Sequence, residues 1–188
     1  TKILQNLLAD GHIGSQLTSY SPFNEAAGRL KSLVLELRAA GHDIKYLDLG
    51  GGLGIRYKDE TPPSPAEYAA GLKKVLGDIP GLTLILEPGR VIAGNSGLLL
   101  IEVLYNKTNG QKHFVITDGA MNDLIRPSLY QAYHEILPVR RNGGTPFPVD
   151  VVGPICESGD FMAKDRPLPP VAYGDLLAVM SAGAYGFT

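Results

Sequence analysis

An acid and a guanidinium stand close together in Glu87-Pro88-Gly89-Arg90, directly after the apolar run 82–86. Pro88 biases Glu87 toward extended geometry and Gly89 permits a sharp turn, which would hold both charges at the end of a buried strand. A carboxylate can face a protonated pyridine nitrogen, and a guanidinium can bind a carboxylate or phosphate through its planar fork. The tetrapeptide therefore predicts a site for an anionic, nitrogen-containing cofactor, with a local ion pair as the alternative.

A second candidate site combines a glycine run with a histidine and a hydroxyl. Gly50–Gly54 contains four glycines after the apolar segment 46–49, so consecutive backbone N–H groups can surround a phosphate without obstruction by side chains. The spacing differs from the dinucleotide fingerprint, and a plain tight turn is the alternative. Upstream, the His12 imidazole can stack on a heteroaromatic ring and the Ser15 hydroxyl can donate to a phosphate oxygen. A histidine near a turn without such a role is the alternative there.

Three further segments carry groups that suit substrate binding or proton transfer. Arg126-Pro127-Ser128-Leu129-Tyr130 places a fork donor and a phenol four residues apart; alternatively, these are a solvated charge and an edge aromatic. The loop 153–160 holds Cys156 among polar neighbours, which favours a reactive or proton-donating thiol over a buried, inert one. Gly183-Ala184-Tyr185-Gly186 sets a phenol between small residues, compatible with close approach to a ligand or with a simple turn. The four histidines are scattered and the acids show no paired spacing, so no metal site is predicted.

Helical and strand patterns alternate in the first half of the chain. Apolar residues recur at helical spacing, and Ser64 is the candidate N-cap of a second helix. The predicted elements are a helix over 24–40, a strand over 44–49, a helix over 65–76 and a strand over 82–86. This order indicates βα repetition with a parallel sheet, whose strand ends would collect the ligand. Residues 1–11 show no β-run ahead of His12.

The pattern changes near residues 94–98, where we place a domain boundary. Strands are predicted over 98–107 and 113–118, joined by an Asn109-Gly110 hairpin turn. Further strands are predicted over 135–139, 149–152 and 176–181. The fold class is therefore α/β plus all-β, with an α/β domain over 1–95 and a β-domain over 96–188 that is truncated at its C-terminal end.

Composition limits the classes of protein. The chain has 188 residues, of which 44% are hydrophobic and 19% charged, with a net charge of −2. No apolar run reaches the roughly 20 residues of a membrane helix, and no signal peptide is evident. The near-neutral balance argues against nucleic acid as a partner. The single cysteine, Cys156, excludes an internal disulfide and fits a reducing cytoplasm, so we expect a cytoplasmic protein.

The order of the motifs along the chain is specific. His-Ile-Gly-Ser is followed by Gly-Gly-Gly, Glu-Pro-Gly-Arg, Arg-Pro-Ser-Leu-Tyr, Cys-Glu-Ser-Gly-Asp and Gly-Ala-Tyr. Over residues 12–187 this order resembles the pyridoxal-phosphate-dependent decarboxylases of the alanine-racemase-like barrel class. The resemblance implies the C-terminal part of a (β/α)8 barrel that binds the cofactor, followed by a β-barrel-like domain, in a homodimer with shared active sites.

The resemblance also implies a role for each candidate residue. The residues that would bind pyridoxal 5'-phosphate are His12, Ser15, Gly51, Gly52, Glu87, Gly89, Arg90 and Tyr185. Among them, His12 would stack on the ring and Glu87 would pair with its nitrogen. The residues that would bind the substrate are Arg90, Arg126, Tyr130, Glu157 and Tyr185. Cys156 would be the catalytic proton donor, contributed to the neighbouring subunit's site.

Within the family, the motif Cys-Glu-Ser-Gly-Asp at 156–160 favours meso-diaminopimelate over ornithine, because ornithine decarboxylases usually carry Cys-Asp-Gly there. Arg126 and Tyr130 suit a substrate with a second carboxylate. The expected products are L-lysine and carbon dioxide; the alternatives are an ornithine or arginine decarboxylase and a catalytically silent homologue that acts by binding. No lysine here stands in the context of the family's cofactor-bonding lysine. We therefore expect a partial chain that does not decarboxylate by itself.

Overall fold

The computed structural model describes residues 7–77, 79–141 and 143–187. The chain forms two compact units. The α/β unit comprises the residues up to Arg56 together with Glu60–Val91, and the sheet unit comprises Tyr57–Asp59 and the residues from Ile92 onward. Within the described ranges, none of the helices combines the length and the apolar character that crossing a membrane requires.

The α/β unit alternates short strands with helices, as the sequence predicts. Its elements are β1 (Leu7–Asp10), α1 (Ser21–Ala39), β2 (Ile44–Asp48), α2 (Pro65–Leu76) and β3 (Thr83–Ile85). The short helix α3 (Arg90–Ala93) begins in this unit, which ends at Val91. The three strands form a parallel sheet in the order β1-β2-β3. The predicted βα repetition with a parallel sheet is thereby confirmed.

The expectation that no strand precedes His12 is wrong. Strand β1 ends two residues before that histidine and pairs with β2, with Leu8 opposite Tyr46 and Asp10 opposite Asp48. The strand has four residues and ends in an acid, so its local pattern is weak. Pairing with the adjacent strand, which sequence patterns do not display, stabilises it.

Helix α2 begins with a complete capping box. The Ser64 hydroxyl accepts a hydrogen bond from the Glu67 backbone N–H, while the Glu67 carboxylate accepts from the Ser64 backbone N–H. Its neighbour α1 begins at Ser21, three residues earlier than predicted, because Pro22 suits the first turn of a helix. The rings of Phe23 and Tyr68 meet edge to face with centroids 4.7 Å apart, which helps to fix α1 against α2.

The sheet unit contains strands β4 to β9 and the short helix α4. Its elements are β4 (Leu99–Asn109), β5 (Lys112–Thr117), α4 (Arg126–Tyr130), β6 (Ile136–Pro138), β7 (Phe147–Val152), β8 (Phe161–Leu168) and β9 (Leu176–Val179). The six strands form one sheet in the order β6-β9-β4-β5-β7-β8. Buried residues such as Val103, Leu124 and Leu177 form its core.

Two details of the sheet unit differ from the prediction. The hairpin of β4 and β5 turns through Gly110 and Gln111, because Asn109 already pairs with Lys112. Strands β5 and β7 are parallel, so the sheet is mixed. Strand β8 was not predicted, since its charged residues and a left-handed Asp165 (φ 47°) interrupt the pattern. The buried carboxylate of Asp150 accepts a hydrogen bond from the Asp165 backbone N–H at 2.8 Å and stabilises that irregularity.

Candidate active site

The three parallel strands of the α/β unit end at one edge of the sheet. Asp10 lies opposite Asp48, which lies opposite Ile85. The loops that follow these strands carry His12 and Ser15, the glycine run, and Glu87 with Arg90. Carboxyl ends of adjacent parallel strands form the usual ligand edge of an α/β fold. The sequence motifs that are far apart along the chain are thus neighbours at this edge.

A side-chain hydrogen bond joins the first of these loops to the last. Arg90 Nη2 donates to Ser15 Oγ at 2.9 Å, across 75 positions of sequence. The Arg90 side chain is buried, with 8% of its surface exposed, whereas Ser15 is exposed. A guanidinium and a hydroxyl therefore face the same small region, which is a donor set suited to an anion.

The glycine run brings the backbones of all three loops into close contact. A Cβ at Gly51 would overlap the carbonyl oxygen of Glu87, and a Cβ at Gly52 would overlap that of Gly14. Glu87 N–H donates to the carbonyl oxygen of Gly50 at 2.9 Å, which ties the third loop to the second. Gly52 also has a φ of 98°, a conformation that L side chains rarely adopt. The glycines are required here by space and by backbone conformation.

Two polar side chains that the sequence analysis did not single out fix these loops. The Gln16 amide donates from Nε2 to the Ile55 carbonyl at 2.6 Å and accepts from the Ile55 N–H at 3.1 Å. Gln16 itself has a φ of 57°, so this paired bond stabilises a strained residue next to Ser15. The buried Asp48 carboxylate accepts from the Gly50 N–H at 2.8 Å and shapes the start of the glycine run.

The residues at this edge fit pyridoxal phosphate by their chemistry. The cradle of glycine backbones leaves no room for side chains, and the Ser15 hydroxyl and Arg90 guanidinium are donors for a phosphate. His12 and Glu87 are both exposed in the same set of loops, so an imidazole ring and a carboxylate remain accessible to a ligand. Gly89 lies between β3 and α3, in the turn that leads to Arg90.

In the sheet unit, Arg126 is buried rather than solvated. It is the first residue of α4, with 8% of its surface exposed. Its Nε donates to Nε2 of His134 at 3.3 Å, and its guanidinium lies 4.9 Å from the centre of the Tyr57 ring. The alternative of a solvated charge is therefore wrong for Arg126. Tyr130, at the other end of the same short helix, is 68% exposed.

The loop that carries Cys156 and Glu157 is anchored by Asp160. One carboxylate oxygen of Asp160 accepts from the Ile155 N–H and the other from the Met121 N–H, both at 2.7 Å. Asp160 is buried, while Cys156 and Glu157 are exposed. The loop is thus a fixed turn in which the thiol and the acid are exposed, so the alternative of a buried thiol is wrong for Cys156.

The segments carrying Arg126, Cys156 and Tyr185 lie beside one another in the sheet unit. A Cβ at Gly159 would come within 2.8 Å of the Ser128 hydroxyl in α4. A Cβ at Gly186 would come within 3.5 Å of Leu124, which precedes α4. Tyr185 has a φ of 54° and is 51% exposed, so the turn holds the phenol outward in a strained conformation.

Two buried polar residues next to these segments, His134 and Asp160, were not predicted from the sequence to take part in the site. His134 is eight residues from Arg126, but α4 ends at Tyr130 and Gln131 is left-handed, so no single helix or strand carries both residues. Asp160 closes the motif Cys-Glu-Ser-Gly-Asp, and a single acid after a glycine in a polar loop is a recognisable signal for a turn anchor.

Comparison with known proteins shows the family. The model of the family described as pyridoxal-dependent decarboxylase, C-terminal sheet domain, matches residues 9–183. The chain belongs to this family, which confirms the resemblance drawn from the motif order.

Several relatives that the chain resembles are named diaminopimelate decarboxylase. The chain is 52% identical over 188 residues to diaminopimelate decarboxylase of Aquifex aeolicus, covering 98% of this chain and 44% of the relative. It is 53% identical to the diaminopimelate decarboxylase of Vibrio cholerae, covering 95% and 43%. A crystal structure of the Helicobacter pylori diaminopimelate decarboxylase with L-lysine superposes with a TM-score of 0.90 at 43% identity, covering 96% and 44%. The chain spans less than half the length of the relatives it matches.

Proposed function

We propose that this chain is part of a pyridoxal-phosphate-dependent decarboxylase that converts meso-2,6-diaminopimelate to L-lysine and carbon dioxide. The observation that carries the proposal is the set of three strand-end loops joined by the hydrogen bond between Arg90 and Ser15 and by the close approach of Gly51 and Gly52. An anion-binding cradle at the carboxyl ends of parallel strands suits the phosphate of this cofactor. High identity to proteins named diaminopimelate decarboxylase supports the choice of substrate.

In the α/β unit, the residues serve the cofactor. Ser15, Gly51, Gly52 and Arg90 bind the phosphate, and Gly89 keeps the approach to it open. Glu87 would pair with the ring nitrogen and keep it protonated, while His12 would stack on the ring. Bound pyridoxal phosphate supplies an electron sink for the pair left on the α-carbon when carbon dioxide departs. The role of Glu87 is to hold a proton at the ring nitrogen, because a protonated ring accepts electrons more readily.

In the sheet unit, the residues serve the substrate. Arg126, with its plane fixed by burial, binds the distal carboxylate that survives the reaction. Tyr130 and Tyr185 are exposed phenols beside the same segments and complete the substrate contacts. Glu157 binds the distal amino group, and Arg90 also contacts the substrate. These contacts with the distal carboxylate and the distal amino group distinguish the end of the substrate that is retained from the end that loses carbon dioxide.

Cys156 donates the proton that replaces the lost carboxylate. Its thiol is exposed on a loop held by Asp160, so it is accessible to a substrate and fixed in position. The family resemblance implies that active sites are completed across a homodimer interface and that the cofactor lies in a complete (β/α)8 barrel. We include both in the proposal, together with a cytoplasmic location for the enzyme.

The substrate is tested by comparing kcat/KM for meso-diaminopimelate, L-ornithine and L-arginine with the full-length protein and added pyridoxal phosphate. The proposal expects meso-diaminopimelate to be preferred by at least about a hundredfold, because a buried carboxylate partner left unpaired is costly. Preference for ornithine or arginine would contradict the assignments of Arg126 and Glu157. Cofactor binding without release of carbon dioxide from any of the three would favour a catalytically silent homologue.

A further inference from the structure

His134 is a fully buried imidazole in the sheet unit, and both of its ring nitrogens are engaged. Its exposed fraction is 0%. Nδ1 lies 2.9 Å from the carbonyl oxygen of Met180, which can only accept, so Nδ1 carries the proton. Nε2 is then an acceptor, and Arg126 Nε donates to it at 3.3 Å. The carbonyl of Met180 thus selects the tautomer that can bind the arginine.

The contact reaches Arg126 at the inner nitrogen of its guanidinium. Because Nε lies in the guanidinium plane, an in-plane acceptor there sets the direction of the outer nitrogens Nη1 and Nη2. The Tyr57 ring adds a second constraint, since it lies 4.9 Å from the Arg126 guanidinium carbon and meets the His134 ring edge to face at 5.2 Å. The plane of the arginine is therefore defined by two rings.

The backbone of His134 is itself fixed by the sheet. Arg166 Nη1 donates to the His134 carbonyl oxygen at 2.6 Å, and the Arg166 guanidinium lies 4.0 Å from the centre of the Tyr133 ring. One residue on, the Glu135 carbonyl accepts from the Met180 N–H at 2.8 Å. Burial lowers the pKa of Arg166 from its ordinary value, and the nearby Tyr133 and Glu135 partly oppose this. The backbone of His134 is consequently bonded to β8, and its imidazole is bonded to Met180, the residue after β9.

We propose that His134 is a positioning residue for substrate recognition: its neutral Nε2 directs the Arg126 guanidinium toward the distal carboxylate of the substrate. This inference rests on the proposed function, in which Arg126 binds that carboxylate. His134 acts through Arg126 and does not contact the reacting atoms. It therefore contributes to the affinity for ligands that bear the carboxylate and leaves the affinity for ligands without it unchanged.

Two substitutions of similar size distinguish the contribution of the His134 Nδ1 donor from that of the Nε2 acceptor. His134→Asn keeps a donor near the position of Nδ1 for the Met180 carbonyl and removes the acceptor for Arg126. His134→Gln places an amide oxygen near the position of Nε2 and loses the donor to Met180. A positioning role requires the acceptor, so the Asn variant should be impaired and the Gln variant should retain most of the function. A purely structural role would give the two variants the same defect.

The probes are L-lysine, which keeps one carboxylate, and cadaverine, which is the same diamine chain without it. Their dissociation constants are measured by calorimetric titration of the full-length, cofactor-loaded protein. For His134→Asn the affinity for L-lysine should fall about tenfold, the size expected when a hydrogen bond to a charged group is lost, while cadaverine binds as in the wild type. For His134→Gln the affinity for L-lysine should stay within about threefold of the wild type. In kinetics, the Asn variant should raise KM for meso-diaminopimelate more than it lowers kcat.

Equal loss for both probes, or equal loss in both variants, would overturn the role of His134. Should the Asn variant not fold, the Gln variant decides alone, and a tenfold loss of L-lysine affinity in it would overturn the proposal. The proposed function fails separately: a wild-type protein that binds L-lysine no better than cadaverine has no carboxylate site. Wild-type preference for L-lysine without the Asn and Gln difference would reject only the positioning role.

Discussion

Arg90 Nη2 donates a hydrogen bond to Ser15 Oγ at 2.9 Å and so joins the loop after β1 to the start of α3. Between them in space lies the loop after β2, whose Gly51 and Gly52 touch the backbones of the other two loops. This arrangement unites three motifs that are separated by as many as 75 positions. It is the structural basis for the proposal that the phosphate of the cofactor binds at this edge of the sheet.

Removing the Ser15 hydroxyl should weaken cofactor binding. Ser15→Ala deletes both a donor to phosphate and the partner of Arg90, so the dissociation constant of pyridoxal phosphate should rise about tenfold or more. Absorbance titration of the cofactor-depleted, full-length protein measures this constant. Ser32→Ala is the matched control, because the exposed Ser32 hydroxyl donates to a carbonyl of its own helix, that of Gly28, at 3.3 Å. Equal effects of the two substitutions would contradict the phosphate assignment.

A methyl group on the glycine run should have a much larger effect than one elsewhere. Gly51→Ala places its Cβ against the Glu87 carbonyl, so the third loop must move and cofactor affinity should fall by at least about a hundredfold, equivalent to a few kcal/mol of steric cost. Gly28→Ala is the control, since Gly28 lies within α1 and its Cβ would meet Val75 of α2 at an ordinary contact distance of 3.9 Å. That change should leave binding intact and stabilise the helix by about 0.5–1 kcal/mol. Normal cofactor affinity in Gly51→Ala would contradict this prediction, because it would show that the loop carrying Glu87 can move without loss of cofactor binding.

The loop anchored by Asp160 should control the thiol of Cys156. Asp160→Asn leaves one acceptor oxygen for two backbone N–H groups, those of Ile155 and Met121, and so loosens the loop. We expect kcat to fall about tenfold with unchanged cofactor affinity, and the rate of Cys156 modification by a neutral disulfide reagent to change. The contribution of Cys156 is obtained by subtracting the signal of Cys156→Ser in the full-length protein.

Asp175→Asn is the control for this experiment, because Asp175 accepts from the Ala172 N–H at 2.7 Å in a different, exposed turn. It should leave both rates unchanged. Cys156→Ala should slow turnover far more than it weakens cofactor binding. An unchanged rate in Cys156→Ala would remove the thiol from the proton-donor role, whatever the result for Asp160.

The capping box of α2 predicts an acid-dependent contribution to stability. The backbone N–H of Ser64 first, and its hydroxyl second, hold the pKa of Glu67 below its ordinary value of 4.5. Since the folded-state pKa is lower than the unfolded one, the ionised carboxylate stabilises the fold above about pH 4.5, and the contribution is lost as the pH falls through the folded-state value. Denaturant unfolding of wild type and Glu67→Gln should differ at neutral pH and converge in acid. A difference that does not depend on pH would contradict this.

Local sequence signals were sufficient for much of the fold and for the identity of the candidate residues. Helix α2 was predicted with its observed bounds because its cap, its proline and its apolar spacing all lie within a few residues. The glycine run was noticed because its unusual composition is contiguous. Helix α4, by contrast, is a single turn and gives too short a pattern to predict.

Contacts between residues that are far apart in the sequence could not be predicted from local sequence signals. Strand β1 depends on pairing with β2, and the burial of Arg126 depends on His134 and on the ring of Tyr57, which is far away in sequence. The clamp between Gln16 and Ile55 spans 39 positions and replaces the pairing that a regular strand would provide. These contacts form through tertiary packing, and the local propensities of the residues do not predict them.

The most direct test of the account is the stoichiometry of products formed from meso-diaminopimelate by the full-length protein, with and without added pyridoxal phosphate. Carbon dioxide and L-lysine are measured in the same reaction. The account predicts that they form in equal amounts and that formation depends on the cofactor. Absence of L-lysine in the presence of bound cofactor, or its formation without the cofactor, would contradict it.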